Sequence, residues 1–243
     1  MEIVKPHMGE RIEHIRKKPG MYIGRLGSGE NEYDGIYNLL KIVFHSLIRR
    51  FRDGVSDVLT IDIQDSRNVK ISYPSTEIGY LEIVQALSSS FEITDDGGRA
   101  ILSFTSDETI FDGFSYHQSI VSDILKSYCY ANTGLTIKYD DNDICAPDGL
   151  ADLINDAFCD NLQYPVIYLS GSGIEIAFSN RAKTSNATYR SFVNGVETKG
   201  GSHQRAFEIA LTKVIDDVFG DIDVCSSEIS EGLYAAISVD IVF

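Results

Sequence analysis

At 243 residues and 43% hydrophobic content, the chain is long enough for one large domain or two ordinary ones and apolar enough to bury a core, which excludes a disordered chain. Its 21 Lys and Arg against 36 Asp and Glu leave a formal net charge of −15, which argues against binding DNA or RNA by neutralising phosphates. The charge is uneven: residues 1–52 hold ten basic and six acidic residues, so a basic head precedes a strongly acidic body. Cys129, Cys145, Cys159 and Cys225 show no C-x-x-C spacing and no histidine at a zinc-ligand interval, so they read as buried, reduced thiols and no metal site is expected. With no signal-peptide core and no apolar run near the roughly 20 residues that span a bilayer, no membrane contact is expected and a cytoplasmic location is.

In chain order, residues 8–17 predict a short helix stopped by Lys18-Pro19-Gly20. A long helix follows, because Ile36, Leu39, Leu40, Val43, Phe44, Leu47, Ile48 and Phe51 recur at helical spacing ahead of Gly54. "VLTIDIQ" (58–64) and "NVKISYP" (68–74) alternate as two antiparallel strands. "YLEIVQALSSS" predicts a helix over 80–90, and "RAILSFTS" a third strand. Helical spacing returns from about Tyr116 to Ala131, followed by the strand "GLTIKYDD" and a helix over 149–159. "PVIYLS", "GIEIAFSN" and "ATYRSFVNG" predict three strands, then a helix begins at Ser202 and "LYAAISVDIVF" closes the chain as a strand. The expected fold class is α+β, divided near residue 112 into units 1–112 and 113–243.

Several stretches carry a family resemblance. "HIRKKPGMYIGRLG" (14–27) resembles the opening of the ATPase region of bacterial type II topoisomerases, the gyrase B protein and its topoisomerase IV counterpart. "GRAILSFTSDETIF" is similar to the segment after that family's ATP lid, and "YCYANTGLTIKYDD" to the first part of its transducer domain. "SFVNGVETKGGSHQRAFEIALT" and "SEISEGLYAAISVDI" resemble the later transducer strands and helix. The resemblance spans about Arg11 to Val242 and implies a GHKL-type ATPase sandwich over 1–112, reduced by loss of its lid, followed by a transducer domain over 113–243.

The same resemblance locates the positions where ATP chemistry would sit. On the long helix the family's base, magnesium ligand and neighbouring Asp stand at i, i+4 and i+7, and here these are Ile42, Ser46 and Arg49. An isoleucine has no lone pair to accept a proton, and a serine hydroxyl is a poor substitute for an amide oxygen on magnesium. After the second strand Tyr73 stands where the adenine-binding Asp would be, with Ser75 and Glu77 at the positions of a Gly-x-Gly. Only "EITDDG" separates the helix before the lid from the strand beyond it, so the lid is expected to be missing, and the chain ends before the transducer lysine. No catalytic residue and no bound cofactor are therefore expected, and the chain is read as no enzyme.

Other signals have plain and sharp interpretations. Gly24, Gly27 and Gly29 could cradle phosphate, but an ordinary loop is favoured because no Lys-Ser/Thr pair follows. "TKGGSHQR" could hold an anion at a helix start, against Ser202 as a simple N-cap. His45 is read as a half-exposed structural histidine. Arg16, Lys17, Lys18, Arg49, Arg50 and Arg52 could touch nucleic acid, although an internal foil for the acidic body or a protein contact is preferred. The run Tyr139–Asp148 is read as a solvated loop, with Asp140, Asp141 and Asp143 available to a partner or as a mimic of DNA phosphates. The leading expectation is a non-enzymatic protein binder, either an immunity protein for a basic toxin or a regulator of gyrase, without direct nucleic-acid binding. The alternatives are an ATP-binding subunit or fragment of a type II topoisomerase, working with a second chain that supplies the missing parts, and an acidic DNA mimic.

Overall fold

Asp65 and Ser66, both in the left-handed region, turn the chain between β1 (Val58–Gln64) and β2 (Asn68–Pro74), as the sequence predicts. The computed structural model describes residues 8–54, 58–75, 78–79, 81–158, 162–181, 186–220 and 229–241. Backbone packing divides the chain inside a helix: residues 1–125 with 135–144 form one unit, and residues 126–134 with 145–243 the other.

The first unit contains α1 (Met8–Lys17), α2 (Gly20–Ile23), α3 (Gly35–Arg52), α4 (Glu82–Ala86) and most of α5 (Gln118–Ala131). Its six-stranded sheet runs β3-β4-β2-β1-β5-β6, with β3 at Ser88–Asp96, β4 at Arg99–Ser106, β5 at Thr136–Tyr139 and β6 at Asn142–Cys145. β1 lies parallel to β5, and β2 and β4 pair antiparallel. The register sets Ile61 against Ile71, Ile71 against Leu102 and Val69 against Phe104, so these residues share one face, and all are buried. The apolar stripe of α3 from Ile36 to Ile48 is buried in the same unit.

Two expectations are corrected here. The predicted helix over 80–90 keeps only Glu82–Ala86, and Ser88 onward is strand β3, joined to β4 through Gly97-Gly98. β3 lacks polar–apolar alternation because it lies at a sheet edge with mostly exposed side chains. The acidic run over 139–148 is a β-turn leading into a strand: Asp140 and Asp141 take left-handed conformations, which Asp tolerates better than most residues, and lead into β6.

The second unit holds α6 (Leu150–Phe158), α7 (Ser202–Phe219) and a five-stranded sheet in the order β10-β9-β11-β8-β7. The strands are β7 (Ile167–Gly171), β8 (Ile174–Asn180), β9 (Thr188–Val193), β10 (Val196–Thr198) and β11 (Leu233–Val239), with β9 and β11 parallel. One sheet face packs on Leu150, Leu153, Ile154 and Phe158 of α6 and on Ala131 of α5. The other packs on Phe207 and Leu211 of α7. Asn194 and Gly195, both at positive φ, make the tight β9–β10 turn. Cys129 is buried, but Cys145 is exposed, against the expectation of buried thiols; Cys159 and Cys225 lie outside the described residues. Among the described residues no helix is long and apolar enough to cross a membrane.

Candidate functional site

The positions singled out by the sequence lie along the flank of α3 and at the end of β2. Ile42 and Ser46 are half-buried and Arg49 is exposed, because i, i+4 and i+7 fall beside the buried stripe of the helix. The Ser46 hydroxyl donates to the Gly79 carbonyl at 2.8 Å. Tyr73 is buried, aligned with Ala100 of β4, and burial raises its phenol pKa, so it is neutral at physiological pH. Ser75 donates its hydroxyl to Asp95 Oδ2 at 2.7 Å and its amide to the Gly98 carbonyl at 3.0 Å. The segment after β2 is thus tied at one end to the β3–β4 hairpin and at the other to α3. Glu77 lies outside the described residues.

The chemistry available at these positions follows from the side chains. Ile42 offers no donor or acceptor, Ser46 and Ser75 hydroxyl protons are committed, and Arg49 supplies a cation. Such a donor set does not fit a magnesium-bound triphosphate, which needs oxygen ligands for the metal and a base for water. Although His45 retains solvent contact, desolvation and then the charge of Lys41 push its pKa down to about 4, so it is neutral near pH 7. Among the described residues no group of three or more His, Cys, Asp or Glu is placed to hold a metal ion. α4 passes through Leu87 straight into β3, so the chain between helix and strand is a single residue long.

A residue not singled out by the sequence organises the glycine loop. Asp34 is buried, and its Oδ2 accepts from the amides of Gly29 at 3.0 Å and Asn31 at 3.2 Å, while Oδ1 faces Arg25 Nε at 3.4 Å. Gly27 has φ +62, and a Cβ there would stand 2.1 Å from Asp34 Oδ1. The glycines therefore wrap the chain's own carboxylate, and the ordinary-loop interpretation holds. The signal was an Asp directly before the long helix.

The basic head is largely paired internally. Arg16 meets Asp107, Arg11 meets Glu82, Lys17 meets Glu13 and Arg50 stands 3.9 Å from Asp53. Asp140, Asp141 and Asp143 are exposed, with Asp140 accepting from Gln118 Nε2 at 2.7 Å and Asp143 standing 4.0 Å from Lys138. At the start of α7 the N-cap is Gly201, not Ser202, which is already the first helical residue. The hollow beside it, about 740 Å³, is lined by Lys199, Arg205 and Lys213 but also by Glu208 and Asp216, a mixture of charge that selects for no anion.

Comparison with known proteins places this architecture. Residues 149–242 match the family model described as DNA gyrase B. The chain is 31% identical, over 95% of its length, to the B-type protein of DNA topoisomerase 4 from Borreliella burgdorferi, covering 48% of that protein. It is 22% identical, again over 95% of its length, to the gyrase B protein of Mycoplasma genitalium, covering 50% of it. The chain therefore spans about half the length of these relatives. The first match extends over 287 residues, more than this chain contains, so the relative carries residues within the matched span that are absent here.

Among solved structures, the gyrase B protein from Myxococcus xanthus superposes with a TM-score of 0.78 at 19% identity, covering 94% of this chain and 83% of that one. The 43K ATPase domain of Thermus thermophilus gyrase B gives 0.71 at 18% identity, covering 96% and 81%. The fold is thus the α+β arrangement of the gyrase B ATPase region, with two mixed sheets.

These matches correct the expectation that the chain is no enzyme. That expectation rested on side-chain types at a few positions, on a missing lid and on the chain ending before the transducer lysine. A chain aligned along nearly its whole length with proteins named as DNA topoisomerase and DNA gyrase cannot be set outside that enzyme family on such a ground, because reacting groups can come from another segment or another chain.

Proposed function

The chain is a homologue of the ATPase region of bacterial type II topoisomerases, and from that premise we propose that it is the ATPase-region fragment of a B-type topoisomerase protein, acting in a larger cytoplasmic assembly. In this proposal residues 1–112 are the ATPase-like portion and residues 113–243 the transducer-like portion. The observation that carries it is the 31% identity running along 95% of the chain while covering only 48% of the topoisomerase IV relative. In this proposal Ile42, Ser46, Arg49, Tyr73 and Ser75 are not the groups that contact nucleotide and metal, and those groups belong to another segment or to a second chain. The two relatives are both B-type components of enzymes named for DNA. They favour this function over an immunity protein, a regulator or a DNA mimic, and they lend no support to an absence of DNA contact.

The test is reconstitution. The chain is mixed with the A-type and B-type topoisomerase proteins of the same cell, and co-elution and ATP-dependent relaxation of supercoiled plasmid are measured. Co-elution with a rise in relaxation is expected. A chain that neither associates nor alters relaxation overturns the proposal.

A further inference from the structure

The edge strands of the two sheets differ in charge. β3 carries Glu92, Asp95 and Asp96, β6 carries Asp143 and β10 carries Glu197, and charge on an edge keeps other strands from pairing with it. β7, the remaining edge, carries none. It lies within residues 161–174, the longest run in the sequence without a charged residue, in a chain of which 23% is charged.

β7 is also open on both faces. All five of its residues are exposed, with Ile167 at 40%, Tyr168 at 45% and Leu169 at 54%. Successive side chains point to opposite faces, so apolar surface meets solvent on both sides of the strand. Because β7 pairs with β8 alone, its outward amides and carbonyls form an unpaired row, and among the described residues no backbone group outside the sheet bonds to it. The row has defined ends. Pro165, which has no amide hydrogen, precedes it, and the turn of Ser172 and Gly173, both at positive φ, follows it.

Charge and symmetry identify the occupant. On the two-fold axis of an antiparallel pair a strand meets itself, so a charged residue near the centre faces its own like charge. A self-pairing edge therefore has to be neutral, whereas an edge built for a basic or acidic partner carries the complementary charge. We propose that two copies of the chain pair antiparallel through β7, joining their five-stranded sheets into one, as a weak and reversible dimer. Centred on Leu169, this pairing sets Leu169 against Leu169 of the second copy, with Ile167 opposite Gly171 and Tyr168 opposite Ser170. Glu175 on the neighbouring strand accepts from the Tyr168 hydroxyl at 3.1 Å, which holds that carboxylate on its own copy. The strand backbone with the exposed Ile167, Tyr168, Leu169 and Ile174 buries on the order of 1,000 Å² across two copies, the lower bound of a specific interface. The net charge of −15 opposes the approach at a distance, and salt screens it. Pairing uses up this edge on both copies, so the assembly closes at two.

This inference is independent of the topoisomerase assignment, and its test needs only the whole chain. Sedimentation velocity from about 1 to 300 µM is expected to show a monomer–dimer equilibrium in the tens-of-micromolar range. The dimer should be several-fold tighter in about 0.5 M than in about 0.05 M NaCl, because the force that salt removes is repulsion. Leu169→Asp should weaken it at least tenfold, whereas Val214→Asp, which adds the same charge at an exposed position of α7, should leave it within about twofold. Leu169→Asp and Leu169→Lys both replace an exposed side chain, which leaves folding intact. Each should be monomeric alone, and the two should associate when mixed, since a two-fold axis at that residue sets one against the other. A chain that stays monomeric at every concentration leaves the edge to some other polypeptide and overturns the proposal. So does a dimer that salt weakens, one indifferent to Leu169→Asp or equally weakened by Val214→Asp, or a mixture of the two Leu169 variants that fails to associate.

Discussion

Arg16 and Asp107 join the first helix to the end of β4: Nη2 of Arg16 lies 2.5 Å from Asp107 Oδ2, and Nη1 donates to the Ala86 carbonyl at 2.7 Å. Asp107 also receives the Thr109 hydroxyl at 2.6 Å and the Thr109 amide at 2.9 Å, and its own amide donates to the Leu87 carbonyl at 2.9 Å. The junction from α4 to β3 is thereby held from both sides. Asp107→Asn should cost about 1–3 kcal/mol and Arg16→Ala about 1–2, because the arginine is partly solvated. Urea unfolding of the two single variants and the double variant measures this, and a coupling energy near zero would remove the assigned link.

The same carboxyl predicts an acid limb. The Thr109 hydroxyl first, and then Arg16, hold Asp107 below the usual carboxylate value against the opposing effect of burial. A depressed native pKa contributes stability that is fully present above about pH 4 and is lost as pH falls through the native value. Unfolding curves between pH 3 and 7 should fall less steeply on the acid side for Asp107→Asn than for the unaltered chain.

Tyr73 sits in a buried sheet position where a carboxylate would have no observed partner. Tyr73→Asp should therefore destabilise by about 2 kcal/mol or more, from lost packing and an ionisable group forced out of water. Thermal unfolding checks this, and an undiminished melting temperature would mean the site is wetter than the structure shows.

Ser46 and Ser75 pin the segment after β2. Ser46→Ala and Ser75→Ala should each cost about 1 kcal/mol at most, and together should speed local opening more than global unfolding. Amide exchange over residues 75–81 reads the difference.

Gly195 closes the β9–β10 turn at φ +75, and a Cβ there would meet Asn132 Oδ1 at 2.1 Å. Asn132 Nδ2 donates to both the Tyr128 and Gly195 carbonyls at 2.8 Å. Gly195→Ala should cost about 2 kcal/mol or more, combining left-handed strain with displacement of a buried amide. Chemical denaturation tests it.

Much of the fold could be read from spacing. The α3 stripe and the alternation of β1, β2 and β4 are visible because each element buries one face of a regular period. β3, β6 and β10 are not legible in the sequence because edge strands need not alternate and the last two are only four and three residues long, although Asn194-Gly195 is a hairpin signal. At the candidate site, Ile42, Ser46 and Arg49 stand at i, i+4 and i+7 within α3, a spacing that is visible in the sequence. The ties from Ser46 to Gly79 and from Ser75 to Asp95 depend on segments distant in the chain, and nothing local encodes them. Asp34 illustrates the same limit, since an Asp before a helix reads as an N-cap whereas here it makes no cap bond and binds the preceding loop.

The order of residues alone determined the α+β class, the family resemblance and the side-chain chemistry along α3, because periodicity and residue type are local properties. Tertiary structure alone decided that α4 runs directly into an edge strand, that the glycine loop closes on Asp34, and that the apolar side chains of β7 are left exposed. Whether an apolar side chain is buried depends on what lies opposite it in space, and spacing along the chain carries no record of that.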